Sequence, residues 1–425
     1  YQVNSAKPPF KPKDLDYIFM LHQHIDHTGK VPYLYTNGCE AKIIAPKGSL
    51  KLFSIMALDS SYIMNRDTEI LKKAHKRNVS PLYNDDDVYN TINYIDEYEI
   101  GKIYELTKNI KFQFLYSGHI LLSTMLVLWL TENGQTKKII YTSDLGGNLQ
   151  KPYTHKRDKI PPCNLLIAES TYSDNIRTVN KKDFNKDIQK IESVIRNTCC
   201  EKKSKVLIPT FSLQRTPEIL THLYDIFHED KEFKTKIILD SPLATKLLQT
   251  YLKLLEGEEK EKLTKVLAWD NIKITDTYAE SQMYQKSKEP MVLVCASGMM
   301  TSGRSRNWSK VIVPNASAHI LFIGFASEGS LAGRLRDDRK NKTISIDGRS
   351  YPNRCGITSL HSFSSHIQYE EMLKVYSEVN TEKIALVHGE YKSKCKFSTV
   401  LQEEISKKNN TSKVSVVNKG TVLQI

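Results

Sequence analysis

The 425-residue chain has no apolar run of membrane-spanning length, which excludes a helix-anchored membrane protein. It is poor in cysteine, and the seven it has are odd in number and scattered, with no C-x-x-C pair. That pattern excludes a disulfide-framed secreted module and a zinc knuckle. Even the vicinal Cys199-Cys200 is expected as two half-buried thiols on a helix. There is no internal repeat and no low-complexity linker, hence no sign of a solenoid or of tethered modules. No leader segment is recognisable, although the chain opens at Tyr1, and the expected location is cytoplasmic. Acidic charge is the scarcer sign, since 48 Asp and Glu face 61 Lys and Arg, a formal net charge of +13. A surplus of that size favours a polyanionic partner such as nucleic acid over a neutral small molecule.

At this length the chain is expected to form two or three domains with proper cores. Its most informative stretch is Tyr17-Ile18-Phe19-Met20-Leu21-His22-Gln23-His24-Ile25-Asp26-His27. An apolar strand there delivers three histidines and an aspartate within six residues. Side chains on a strand repeat every two residues, so His22 and His24 are expected on one face, able to bind one ion. Asp26 and His27 follow in a turn, where they can diverge towards a second ion. At average residue usage such an H-x-H-x-D-H string arises by chance at roughly one position in a million, so a polar turn with incidental histidines is the weaker reading. Imidazole and carboxylate without cysteine suit zinc, with manganese or iron left open.

The chain then reads as a strand at 42–45, a helix around 49–64 with helical apolar spacing, and a helix through 94 that Asn84-Asp85-Asp86-Asp87 would cap. Strands at 102–106 and 110–116 lead to Ser117-Gly118-His119. A hairpin of 123–131 and 138–142 turns at Glu132-Asn133-Gly134 and ends at Ser143-Asp144. His119 and Asp144 thus sit just past strand ends, where a sheet presents ligands, and a carboxylate at Asp144 can bridge two cations. The strand 165–168 ends at Glu169-Ser170-Thr171-Tyr172. Beyond it helices near 181–197, 214–228 and 243–255 alternate with strands at 206–208, 237–239, 291–295 and 320–323, which predicts a second α/β layer with a mainly parallel sheet. Small polar loops at the carboxyl ends of such strands bind ligands, which makes Arg215, Ser297, Gly298 and Arg304 candidates for holding phosphates. Later, His366 lies in a serine-rich loop, and His388 follows the strand 383–387. The remaining histidines, His75, His155, His222, His228, His319 and His361, have no partners at ligand spacing and are expected to be structural or on the surface.

Taken together, His22, His24, Asp26, His27, His119, Asp144 and His388 resemble the ligand set of the metallo-β-lactamase superfamily. Glu169, His366 and His388 resemble the three extra motifs of its β-CASP branch, the nucleic-acid processing nucleases. Pro209-Thr210-Phe211, Leu239-Asp240-Ser241-Pro242, Ser297-Gly298-Met299, Gly303-Arg304, Phe363-Ser364-Ser365-His366 and Leu386-Val387-His388-Gly389-Glu390 are similar to family blocks, in family order. The likeness is to the stand-alone prokaryotic ribonucleases, which are related to the eukaryotic pre-mRNA 3′-end cleavage nuclease. It implies an α/β fold: a metallo-β-lactamase αββα sandwich from 1–172 and 346–425, with a β-CASP domain inserted at 173–345 and the active site in the cleft where they meet.

The resemblance further implies a zinc-dependent ribonuclease that hydrolyses single-stranded RNA by a two-metal hydroxide mechanism. One Zn2+ would take His22, His24, His119 and Asp144. The other would take Asp26, His27, His388 and the shared Asp144. His366, oriented by Glu169, would protonate the leaving oxygen, with Asp26 also counted as catalytic. RNA is then the partner, no membrane is involved, and a homodimer is left open. The alternatives are a hydrolase of a small ester, lactone or thioester on the same fold, and a catalytically silent RNA-processing scaffold. Four departures from the family pattern stand out. The opening motif, a strand ending in aspartate, is not found, and neither Asp14 nor Asp16 matches it. Leu122 and Ser143 stand where the family often has glycine, which predicts crowding beside His119 and Asp144. Gln368 replaces a frequent aspartate that would support His366.

Overall fold

A computed structural model describes residues 6–75, 79–149, 151–174, 179–324, 326–338, 340–408 and 410–425, without the side chains of 74 and 75. The expectation for His75 therefore lies outside the described residues. Among the described residues no helix is long and apolar enough to cross a membrane. All seven cysteines are free thiols. Contacts divide the chain into two compact units, the first made of 1–150, 154–178 and 365–425 and the second of 151–153 and 179–364.

The first unit has four layers. Its centre is a pair of sheets. One is parallel and three-stranded, Tyr17–Phe19, Lys42–Pro46 and Ile95–Tyr98 in that order. The other has seven strands in the order Lys413–Val416, Thr381–Val387, Cys163–Glu169, Gln135–Tyr141, Thr124–Glu132, Ile110–Tyr116 and Ile103–Thr107. Alternation decides what each strand face meets. Ile44 joins Leu21, Phe112, Phe114 and Leu126 in the core between the sheets, while its neighbours Ile43 and Ala45 turn to the helices Ser49–His75 and Asp85–Ile92. On the far side Met125 and Val127 pack with Met372, Tyr376, Phe397 and Leu401 of the helices Tyr369–Glu378 and Tyr391–Lys407. An αββα sandwich results.

Local chemistry sets the edges of these elements as expected. Asn133 and Gly134 both take positive φ, 50° and 77°, and Glu132 pairs with Gln135, so the hairpin closes on a two-residue turn whose twist suits its strands. Asn84 accepts from the Asp87 amide while the Asp87 side chain accepts from the Asn84 amide, a complete capping box. The helix expected over 49–64 runs on to His75.

The second unit carries a six-stranded sheet, all parallel, in the order Ile272–Ile274, Lys236–Asp240, Met291–Cys295, Lys205–Pro209, His319–Phe322 and Gly356–Ser359. Its central strands are buried on both faces, which is why they read as unbroken apolar runs. The strand Gly356–Ser359 pairs with His319–Phe322, so the stretch 346–364, read from sequence with the first domain, packs with the second unit.

Candidate metal centre

All seven expected ligands lie in the first unit. The ladder of Tyr17–Phe19 stops early because the chain changes sheets. Met20 N–H still donates to Ile44 O at 3.0 Å, but Leu21 O accepts from Thr124 N–H at 2.9 Å, a bond to the seven-stranded sheet. The extended segment that follows carries His22 and His24, and the four-residue helix Ile25–Thr28 then turns Asp26 and His27 in another direction. His119 sits in a tight turn after Ile110–Tyr116. Ser123 Oγ accepts from the His119 and Ile120 amides, both at 3.0 Å, and Gly118 adopts φ 76°.

Asp144 is the hub. It is buried, and its Oδ2 lies 3.5 Å from His22 Nε2, 3.3 Å from His27 Nε2, 3.6 Å from His119 Nε2 and 4.0 Å from His366 Nε2. Its Oδ1 lies 3.5 Å from His388 Nδ1. Close by, His24 Nδ1 and His119 Nε2 stand 3.1 Å apart. The ligand atoms of His22, His24, His119 and Asp144 form one compact group, those of Asp26, His27 and His388 a second, and those of Asp144, Glu169 and His366 a third. None of the remaining histidines with described side chains joins such a group.

Zinc or a similar divalent ion fits this donor set. His22 Nε2, His27 Nε2 and Asp144 Oδ1 are buried without a hydrogen-bond partner among the described residues, an expensive arrangement unless they bind something together. Histidine and carboxylate donors suit such ions. Burial lowers the His22 and His119 imidazoles and brings His24 down to about 3, so these rings stay neutral and offer lone pairs. Burial alone would raise Asp144, but His22, His27 and the other surrounding rings hold its carboxyl well below the usual range. His388 is different. The Asp26 side chain, 3.9 Å away, raises it to about 9 against the pull of burial, with the Asp144 and Glu169 carboxylates adding to the rise.

Glu169, fully buried at its strand end, organises the third group. Its Oε1 accepts from Leu145 N–H at 2.7 Å and from His366 Nδ1 at 3.1 Å. Its Oε2 accepts from Thr171 N–H at 3.1 Å and from the Thr171 hydroxyl at 2.5 Å. Burial pulls the His366 pKa down, and Glu169 more than offsets it, so the net shift is upward. Gln368 bonds the His366 carbonyl at 3.0 Å, and the ring is supported by Glu169.

Leu122 and Ser143 take φ 60° and 51°, the left-handed region in which glycine is unstrained. Both positions therefore carry backbone strain that glycine would avoid. Two ligand contacts escaped the reading of the sequence, which marked Ser143 only for crowding and gave Thr171 no role. Ser143 Oγ lies 3.2 Å from His22 Nδ1, and Thr171 Oγ1 lies 3.0 Å from His388 Nδ1. Thr171 follows Glu169 by two, but nothing in the sequence pairs it with a residue 217 positions away.

The four expected phosphate contacts lie in the second unit. Arg215 is buried, its Nη1 2.5 Å from Glu218 Oε2. Arg304 Nε stands 3.5 Å from Asp240 Oδ1, and its guanidinium lies 5.0 Å from the Tyr278 ring centroid. Ser297 Oγ approaches Ser302 O at 3.5 Å, and a β-carbon at Gly298 would meet the Phe211 ring at 3.1 Å.

Two family models match the chain. A Beta-Casp domain covers residues 216–335, and a Zn-dependent metallo-hydrolase RNA specificity domain covers 350–412. Among curated relatives, the chain is 25% identical to a ribonuclease of Thermus thermophilus over 91% of this chain and 84% of that protein. It is 25% identical to the transcription termination factor FttA of Methanocaldococcus jannaschii over 91% of this chain and 60% of that protein. To an endoribonuclease of Candida glabrata it is 24% identical over 92% of this chain and 50% of the relative. The chain thus spans most of the first of these and half or a little more of the other two.

Proposed function

Since the chain belongs to the β-CASP branch of the metallo-β-lactamase superfamily, we propose that it is a metal-dependent ribonuclease hydrolysing phosphodiester bonds of single-stranded RNA. The observation that carries the reading is the convergence of His22, His24, His119, Asp144, Asp26, His27 and His388 on one centre, with buried donor atoms left unpaired. The names of the relatives, a ribonuclease and an endoribonuclease, and the RNA specificity domain point the same way. In this proposal 1–172 and 346–425 form the catalytic domain and 173–345 the β-CASP domain, with the stretch 346–364 packed on the sheet of the second unit.

Two zinc ions would be held, one by His22, His24, His119 and Asp144, the other by Asp26, His27, His388 and the shared Asp144. Bound there, such ions lower the pKa of water and offset negative charge on phosphate oxygens. The chain's own contribution is then positioning and proton transfer. Glu169 accepts the Nδ1 proton of His366, which leaves Nε2 towards the centre. The upward shift of its pKa favours the protonated form of His366, which can deliver the proton from Nε2 to the leaving oxygen. Asp144 keeps the rings aimed inward through its two oxygens. The basic surplus of the chain suits a polyanionic substrate.

The test is cleavage of labelled single-stranded RNA with and without zinc, with EDTA and Asp26→Ala controls. Metal-dependent cleavage that EDTA and the substitution abolish supports the proposal. Turnover of an ester or lactone with intact RNA would replace it by a small-molecule hydrolase. Intact substrates of both kinds, with no metal taken up, would leave an RNA-processing scaffold.

A further inference from the structure

We infer that Ser143 is a positioning residue, whose hydroxyl holds the His22 imidazole in the orientation and tautomer that present Nε2 to a metal ion, at the expense of a strained turn. The inference rests on the metal-dependent reading above and concerns how one ligand group is aimed.

Three observations meet at this residue. Ser143 adopts φ 51°, where a β-carbon is disfavoured and glycine is not. Its side chain is nevertheless buried at the centre, 2% exposed, with Oγ 3.2 Å from His22 Nδ1. His22 is itself buried, and its Nε2 has no hydrogen-bond partner among the described residues while facing Asp144 Oδ2 at 3.5 Å. A neutral imidazole carries a single N–H. When Nδ1–H donates to Ser143 Oγ, the lone pair is left on Nε2, the form that ligates metal, and a partner on the far nitrogen both fixes the ring and raises its basicity. The next residue is Asp144. One left-handed turn therefore sets the hydroxyl against Nδ1 and the carboxylate against Nε2 of the same ring.

Glycine would make this turn without strain and without the hydroxyl, which separates the two effects. Leu122, at φ 60° three residues after His119, supplies the control, because it bears the same backbone strain with a side chain that cannot hydrogen-bond. The experiment measures zinc affinity by competition with a chelating dye, the melting temperature of metal-free protein, and the nitrogen chemical shifts of His22 by NMR. Ser143→Gly is expected to weaken zinc binding about 10- to 100-fold, to melt no lower than wild type when metal-free, and to show His22 as a mixture of tautomers. Leu122→Gly is expected to melt higher with zinc affinity unchanged. Wild-type zinc affinity in Ser143→Gly, or a His22 protonated on Nε2 in the wild-type metal-free protein, overturns the role of Ser143 alone. A wild-type protein that takes up no zinc overturns the functional reading and this inference together.

Discussion

Glu169 Oε1 and His366 Nδ1 lie 3.1 Å apart although 197 positions separate them in the chain. The same oxygen accepts from the amide of Leu145, next to Asp144, and the other is held by Thr171, whose hydroxyl also reaches His388. A single buried carboxylate thus ties together the segments that bear Asp144, His366 and His388. Charge-assisted bonds of this kind are the strong ones in a dry site.

Glu169→Gln keeps the shape and removes the charge that raises the His366 pKa. The proton-donating form is then lost at lower pH, so the alkaline limb of the pH–rate profile on labelled RNA should move to lower pH. The rate near neutrality should fall by about 10²-fold with zinc content intact. An unmoved limb would show that Glu169 does not set the protonation of His366.

Metal uptake should separate into two pH regimes. Burial favours the neutral form of His22, His24 and His119, so filling the group that contains them should change little between about pH 7 and about pH 9. His388, raised from 6.5 to about 9, must give up a proton, so uptake by Asp26, His27 and His388 should weaken by up to about tenfold per pH unit below that value. The sign for stability is opposite. In the metal-free protein the His388–Asp26 contribution is fully present below about 6.5 and is lost as pH rises through about 9. Zinc titrations at several pH values, each with its metal-free melting curve, check both. Two ions with the same pH dependence would sink the distinction.

Gly146 is where the Asp144 loop meets the His119 turn. Its amide donates to Ser117 O at 2.8 Å, and a β-carbon there would collide with the Gly118 carbonyl. Gly146→Ala should therefore push two ligand segments apart. We expect lower zinc stoichiometry and at least about 10²-fold less RNA cleavage. Gly348→Ala, at a turn with open space around it and φ 76°, should cost only about 1 kcal/mol of stability.

Glu218 is fully buried between the Arg215 guanidinium and the Lys151 ammonium, at 2.5 and 3.5 Å. Glu218→Ala removes the buried carboxylate that faces both cations and should destabilise the second unit by about 3–5 kcal/mol in urea unfolding. A loss below about 1 kcal/mol would mean that water reaches them in the folded protein.

Much of the architecture was legible locally. The Asn133-Gly134 hairpin, the Asn84 cap and the apolar strands of the parallel sheet each depend on residues a few positions apart, and each formed where chemistry and periodicity placed it. The helices Gly257–Leu267, Tyr278–Lys286, Gly303–Ile312 and Leu331–Asp337 were not anticipated. They are short, and Gly257–Leu267 opens on a glycine among glutamates that reads equally well as loop. Arg215 looked like a phosphate contact from its place after a strand, yet it turns inward to Glu218. Its position in a helix was visible, but the carboxylate three residues on was not evidently buried.

By itself the sequence determined the donors: three histidines and a carboxylate within six residues, then His119, Asp144 and His388 each just past a strand, because ligand chemistry resides in residue type and local spacing. Only the tertiary structure decided their partners. It made Asp144 the hub of five histidines at 3.3 to 4.0 Å, joined Ser143 to His22 across 121 positions and linked Thr171 to His388 across 217. Such pairs meet only once two sheets have packed face to face and their strand ends share one rim, and no period along the chain encodes that meeting.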